Sequence, residues 1–212
     1  MAEVQVNVKP KASQSGQQPP LFKNPILEKL SRTHISLPLI IFTLISSGLI
    51  YYGVRDMGMA PITALTLFIV GFLSFTLLEY TAHRFVYHMD AKTEWQEEVK
   101  YKFHGVHHDF PKDKTRLALP PIVSVIIASI LFFVFKLAMG TAVFGFLPGV
   151  LMGYTAYLGV HYAVHAFRPP KNFLKTLWIH HGIHHYKQSD RAFGVSSPLW
   201  DYIFRTMPRK KA

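Results

Sequence analysis

The sequence has no cysteine. Disulfides, thiolate metal sites and cysteine nucleophiles are therefore excluded, and any transition metal has to be held by imidazole or carboxylate. Acidic residues are scarce as well, with 12 Asp plus Glu against 23 Lys plus Arg and 12 His. A carboxylate-rich site of the kind built from Glu and Glu-x-x-His in di-iron helical bundles is not expected. No apolar run directly follows the start and no small-residue cleavage site is visible, so a secretory signal peptide is not expected. Residues 1 to about 20 are rich in Gln, Ser, Pro and Lys and poor in large apolar side chains. They cannot bury enough surface to order themselves, and residues 1–35 are expected to be a flexible tail and interfacial segment ahead of one domain over 36–212.

Four long runs are also nearly free of charge: Ser36 to about Val54, Ala60 to about Ala82, Pro120 to about Met139, and Ala142 to about Ala166. A helix rising 1.5 Å per residue needs roughly 20 residues to cross the hydrocarbon layer, and each run reaches about that length. Short breaks at Arg55, Asp56 and Gly58, and at Gly140 and Thr141, predict two helical hairpins. The expected fold class is all-α integral membrane, four transmembrane helices with a helical cap. Four crossings put both termini and the Arg84–Leu119 loop on one side. That side carries 21 of the 23 Lys and Arg, leaving Arg55 opposite and Lys136 within a run. Such asymmetry predicts a cytoplasmic face and accounts for the net charge of +11 without a nucleic-acid partner.

Eleven of the 12 histidines fall in four clusters: HRFVYH (His83 to His88), HGVHH (His104 to His108), HYAVH (His161 to His165) and HHGIHH (His180 to His185). All lie on the basic side or at its border. On a helix, positions i, i+3 and i+4 share a face, so His104, His107 and His108 can converge on one point, as can His181, His184 and His185, while His161 pairs with His165. His83 and His88 are five apart, about 140° around a regular helix, and can share a metal only if the helix unwinds between them. Otherwise they serve different metals or the span ends there. Ten neutral imidazoles exceed the capacity of one ion, so two metals are implied. Glu79, Tyr80 and Asp201 are candidates for fixing imidazole tautomers, and His180 is left outside the ligand set as a further outer partner. Gly105 and Gly182, inside the HxxHH clusters, mark either a close approach or a helix that frays. A membrane metal transporter or store would need polar groups midway through the spans, and apart from Thr and Ser there are almost none.

The stretches LLEYTAHRFVYH, FHGVHHDFPKDKTRLALPP, GYTAYLGVHYAVH and IHHGIHHYKQSDRAFGVSSPLWDYIF resemble the membrane fatty acid hydroxylase superfamily, closest to its fatty acid 2-hydroxylase branch, over about residues 77 to 204. The PKDKTRLALPP continuation argues against the other enzyme reading, a carotenoid or sterol hydroxylase or desaturase. The resemblance implies a dimetal centre, zinc in purified material and iron in the active enzyme, with ligands at His83, His88, His104, His107, His108, His161, His165, His181, His184 and His185. It implies O2 as co-substrate, since zinc cannot change oxidation state. Many relatives carry a fused cytochrome b5 domain; the segment before the first run lacks a haem-binding pattern, so a separate cytochrome b5-like or ferredoxin-like donor is expected. Relatives commonly have Asp after the tyrosine matching Tyr157, where Leu158 stands here. Tyr157 is a further outer-partner candidate, and Tyr154, Tyr157, Phe193 and Trp200 are expected to line an acyl cavity. Arg84, Lys114, Arg116 and Arg191 are candidates for a carboxylate or head group.

Overall fold

A computed structural model describes residues 20–209, so the tail expected over the first residues lies outside the described residues. Every regular element among them is helical. The helices are α1 (Pro25–Leu30), α2 (Ser36–Arg55), α3 (Pro61–Ala82), α4 (Glu94–Lys100), α5 (Val106–Asp109), α6 (Pro121–Met139), α7 (Val143–Ala166), α8 (Lys175–Tyr186) and α9 (Leu199–Ile203). Starts follow local chemistry. Proline occupies the first position of α3 and α6, where its missing N–H leaves no bond unmade. Asn24 caps α1 through its side-chain oxygen, which accepts from the Ile26 and Leu27 amides, and Thr93 caps α4.

Three stretches are long and apolar enough to cross a membrane: Ser36–Arg55, Pro61–Tyr87 and Lys114–Ala166. The third contains both α6 and α7, joined by a tight turn at Gly140, whose φ of +59° suits glycine. Their outer faces are apolar, with Leu44, Ile62, Phe133 and Leu137 all more than 60% exposed. Water would not tolerate such a belt, and lipid does. The protein is an integral membrane protein.

Helix α7 is the axis of the bundle, buried along one side by α2 and α3 in a core of Phe42, Phe75, Val143, Phe144, Leu147, Val150 and Leu151. Small residues set the distance between α3 and α7. A Cβ on Gly149 would stand 2.0 Å from the Phe68 carbonyl oxygen, and one on Gly71 would stand 2.1 Å from that of Phe146. Backbone meets backbone there, as at other small-residue crossings in membranes. Gly149→Val is expected to force the helices apart and destabilise the fold by about 3 kcal/mol or more. Thermal unfolding in detergent checks this; a melting temperature within a degree of wild type would contradict the close packing.

The histidine-bearing elements sit at one end of the bundle. There α3 runs on into a π turn at His83–Tyr87, a second π turn at Tyr101–Gly105 leads into α5, and α8 and α9 close over them. The segment ahead of α2 is tied down as well: the Thr33 amide donates to the Thr115 carbonyl at 2.8 Å, and Glu28 pairs with the buried Arg116.

Candidate metal centre

The ten histidines form two groups of five. His83, His88, His104, His108 and His184 make one, and His107, His161, His165, His181 and His185 the other; within each, one ring nitrogen per residue lies within 4.8 Å of all the rest. The groups touch, His108 of the first stacking on His185 of the second with ring centroids 4.2 Å apart.

Local backbone geometry sorts the residues. His83 and His88 share a group because the chain is π-helical between them, the His88 amide donating to the His83 carbonyl at 3.1 Å. That wider turn brings residues five apart onto one face, the unwinding that a regular helix would have needed. The HxxHH clusters depart from the expectation of a single point. In each, the i and i+4 members share a group, His104 with His108 and His181 with His185, while His107 and His184 face the other. The i+4 residue lies about 40° from i and the i+3 residue about 60° to the opposite side, so a narrow seam between the two groups separates them. Each HxxHH therefore contributes to both groups. His161 and His165, at i and i+4, stay together.

Ring orientation is fixed from outside. Nδ1 of His83 faces the Phe193 carbonyl, Nδ1 of His184 faces that of Arg191 at 2.7 Å, and Nδ1 of His161 faces that of Leu117 at 3.3 Å. A carbonyl only accepts, so these nitrogens carry the proton and each Nε2 presents a bare lone pair to its group. Inside the groups, Nε2 atoms confront one another: His83 and His104 at 3.0 Å, His104 and His108 at 3.1 Å, His108 and His184 at 3.1 Å, His107 and His161 at 3.0 Å, His165 and His181 at 2.9 Å. His88 Nε2 is buried with no hydrogen-bond partner among the described residues. Lone pairs converging without enough protons suit a cation. Two imidazole ligands on opposite sides of one ion stand at most about 4.2 Å apart, so the widest pairs, within 4.8 Å, would need to close by up to about 0.6 Å. The donor set fits two borderline transition-metal ions.

Burial first, and repulsion between neighbouring rings second, depress the basicity of these side chains. His88 is pushed down to about 3, and His104, His107 and His181 fall well below the ordinary value. His184 falls to about 4, burial outweighing its bond to the Arg191 carbonyl. They are neutral at physiological pH. The linkage has a definite sign: below the unfolded-state value of 6.5 the unfolded chain takes up protons that the folded one refuses. Stability of the metal-free protein is present above about pH 6.5 and falls as the pH is lowered toward 4. Unfolding in detergent at pH 7.5 and pH 5, after chelation, should show a lower melting temperature at the acid value; a flat profile would contradict neutral burial.

Asp201, fully buried, accepts from the Phe193 amide at 2.9 Å, the Gly194 amide at 2.7 Å, the Thr206 hydroxyl at 2.7 Å and His180 Nε2 at 2.9 Å. His180 thus sits outside both groups, clamped to a carboxylate. The Glu79 carboxylate hydrogen-bonds no histidine among the described residues; it accepts from the Val195 amide at 2.6 Å and the Ser196 amide at 2.9 Å. Both carboxylates act on the 191–196 loop, whose carbonyls orient His83 and His184. Tyr80 hydrogen-bonds Thr206 at 2.9 Å, tying α3 to the end of α9. Sequence reasoning singled out these side chains but missed the backbone carbonyls through which they act, which no residue type advertises.

A cavity of about 460 Å³ lined by Phe193 reaches His88, and two more, of about 290 and 310 Å³, approach the centre. Tyr154 and Tyr157 line both of the latter, and Tyr157 stacks on His161 with ring centroids 5.5 Å apart. Phe193 and Trp200 do not line either of those two. Phe193 is pinned in the 191–196 loop against His83 and His184, with ring centroids 5.8 and 5.7 Å away, and Trp200 points from α9 to Thr76. Gly182 has open space around it, so no close approach explains it, whereas a Cβ on Gly105 would meet the Tyr101 ring at 2.9 Å.

A family model described as fatty acid hydroxylase matches residues 68–206. The chain belongs to the fatty acid hydroxylase family. The matched residues hold all ten histidines of the two groups. Among relatives of this hydroxylase-family chain, a dihydroceramide fatty acyl 2-hydroxylase, FAH2 of Arabidopsis thaliana, is 38% identical over 67% of this chain and 60% of its own length. The ceramide very long chain fatty acid hydroxylase scs7 of Schizosaccharomyces pombe is 37% identical over 88% of this chain and 54% of its own. A solved structure of full length scs7p, in which only the hydroxylase domain is visible, superposes with a TM-score of 0.81 and 31% identity, covering 90% of this chain and 72% of that one. The chain thus spans little more than half the length of the two relatives.

Proposed function

We propose that this chain hydroxylates a fatty acyl chain at C2, as the free acid or linked in a sphingolipid, using two irons, O2 and electrons from a separate donor. The observation that carries the reading is an apolar cavity of about 310 Å³ that runs between α3, α6 and α7 and reaches His83 of the first five-histidine group. The relatives' named activities on fatty acyl and ceramide chains point the same way. Two irons held by these histidines would supply O2 activation, which zinc cannot. The balance is R–H plus O2, two electrons and two protons giving R–OH plus water.

The chain's own residues do the rest. The ten imidazoles hold the ions and the carbonyls of Leu117, Arg191 and Phe193 hold the imidazoles. Tyr154, Tyr157, Phe75 and Leu131 shape an apolar channel that orients the acyl chain and excludes water from the reacting carbon. Lipid mass spectrometry on cells expressing the protein tests the reading. Acyl species heavier by one oxygen, fragmenting as 2-hydroxy acids, are expected with the wild type and not with the vector. Their absence despite iron, donor and O2 would overturn it.

The topology belongs to the same proposal: α2, α3, α6 and α7 each cross once, with both termini and the histidine groups at the cytoplasmic face, as the basic residues favour. The absence of cysteine makes this easy to test. Asp56→Cys and Thr141→Cys should be labelled by an impermeant maleimide from outside sealed cells, and Asp113→Cys only after permeabilisation. Labelling of all three from one side would contradict four crossings.

A further inference from the structure

Among the four basic residues that sequence reasoning offered for a head group, three are engaged or exposed. Arg84 donates to the Tyr80 hydroxyl at 2.9 Å, and Lys114 is exposed; Arg191 donates from Nη1 to the Arg205 and Met207 carbonyls at 3.2 and 3.0 Å, and although its Nε is buried without a partner among the described residues, it lines neither cavity that Tyr154 and Tyr157 share. Arg116 differs. Its side chain is 2% exposed, and its Nη2 pairs with Glu28. Its Nε and Nη1 are buried with no partner among the described residues. A guanidinium is charged at every accessible pH, and leaving its donors unfilled away from water is costly. Two of its donors are therefore available to a partner with acceptor oxygens.

Arg116 lines the cavity of about 290 Å³ together with His104 of one group and His107 and His161 of the other. Apart from Arg116, the polar side chains of that lining are Ser31, Lys102, tyrosines and histidines, and no carboxylate lines it. Arg116 also adjoins Leu117, whose carbonyl orients His161. The second cavity, of about 310 Å³, is apolar and reaches out between α3, α6 and α7 past Leu78, Ile127, Leu131 and Val150. Tyr87, Phe103, Leu119, Tyr154 and Tyr157 line both cavities. The arrangement offers two charged donors near the histidine groups, Arg116 and Lys102, of which Lys102 is paired with Glu98, and an apolar space leading away from them.

We propose that Arg116 binds the carbonyl oxygen at C1 of the acyl chain and so fixes which carbon is presented to the histidine groups. The inference rests on the acyl hydroxylation reading and deepens it. The same acceptor chemistry comes from two sources, the carboxylate of a free acid and the amide carbonyl of an N-acyl lipid. With C1 held at Arg116 and the tail in the apolar cavity, the carbon next to C1 is the one retained beside the metals. Arg116 is a positioning residue: it sets the register of the chain and takes no part in oxygen chemistry.

The test uses the full chain, iron-loaded in lipid nanodiscs, with three probes of one chain length: a free acid, its N-acyl sphingoid amide, and the primary alcohol, which lacks the carbonyl. Arg116→Met should keep wild-type metal content, raise KM for the acid or the amide about 10-fold or more, and spread hydroxylation beyond C2. Whichever of the two loses more identifies the natural source of the carbonyl. Glu28→Gln breaks the same ion pair but keeps the guanidinium, and should leave KM and the C2 position as in wild type. Unchanged KM and position in Arg116→Met, or the same losses in Glu28→Gln, would overturn the proposal. Should Arg116→Met fail to hold metal, equilibrium displacement on metal-free wild type and variant decides: the acid or the amide should bind the wild type about 10-fold or more tightly than the variant, with the alcohol binding both alike, and equal binding of the acid and the amide by the two proteins would overturn it. That binding comparison judges Arg116 even if the wild type hydroxylates none of the probes, an outcome that would instead remove the acyl hydroxylation reading.

Discussion

Alanine at His104 and alanine at His107 are expected to remove different metal ions, although the two residues stand one helical turn apart. His104 belongs with His83, His88, His108 and His184, and His107 with His161, His165, His181 and His185. Each substitution deletes one of five ligands from one group and leaves the other group intact. Metal analysis of the purified variants should fall from about two ions per chain toward one in each case. Spectra of the remaining ion should differ between them. Product formation should fall by more than about 100-fold in both, beyond what loss of an outer partner causes, because two-electron oxygen chemistry needs both ions. The double variant should hold neither ion. If both single variants lost the same ion, the HxxHH cluster would be converging on a single point, and the division into two groups would be wrong.

Asp201→Asn is the second large effect. The carboxylate is buried and accepts four hydrogen bonds, from His180, Thr206 and the amides of Phe193 and Gly194. Burial alone would raise its pKa, but those bonds together hold it below the ordinary range. An amide can keep some of the four but cannot accept at both ends of the side chain, and its NH2 faces a donor that it repels. Leaving such donors unsatisfied costs about 1–3 kcal/mol each. The damage reaches the metals by a defined route. Asp201 holds the loop whose Phe193 and Arg191 carbonyls orient His83 and His184, both in the first group. Affinity for the first ion should drop about 10- to 100-fold, and affinity for the second should hold. Competitive chelation titrations would show one of two binding phases shifted. Equal weakening of both ions would mean that Asp201 acts through general instability of the fold.

Much of this architecture was legible in the residues. The apolar runs marked α2, α3, α6 and α7 to within a few residues, because length and uncharged composition are what a bilayer demands. The ten histidines of the two groups stood out through clustering in a chain without cysteine. Their partition did not, because ideal helical periodicity treats i, i+3 and i+4 as one face and cannot register a seam between two groups. The π turn at His83–Tyr87 had one sequence signal, the five-residue spacing of two histidines that otherwise had no shared face. Glu79 and Asp201 were singled out as partners of imidazoles; Asp201 does hold His180, whereas toward the two groups both carboxylates act through the backbone of the 191–196 loop. Phe193 lines a different cavity from Tyr154 and Tyr157, and Trp200 points to Thr76; neither placement was legible, because composition does not say which way an aromatic near a helix end faces. The glycines of the α3–α7 crossing read as ordinary apolar sequence, since only the partner's backbone reveals why a Cβ is excluded.

The most direct test of the central claim is isotopic. The purified chain, loaded with iron in nanodiscs and supplied with a reductant and a long-chain fatty acyl substrate, is placed under 18O2 and the product is weighed. One 18O atom at C2 of the acyl chain is the predicted result. A hydroxyl carrying oxygen from water, or no oxygenated product from protein that holds both ions, would contradict it.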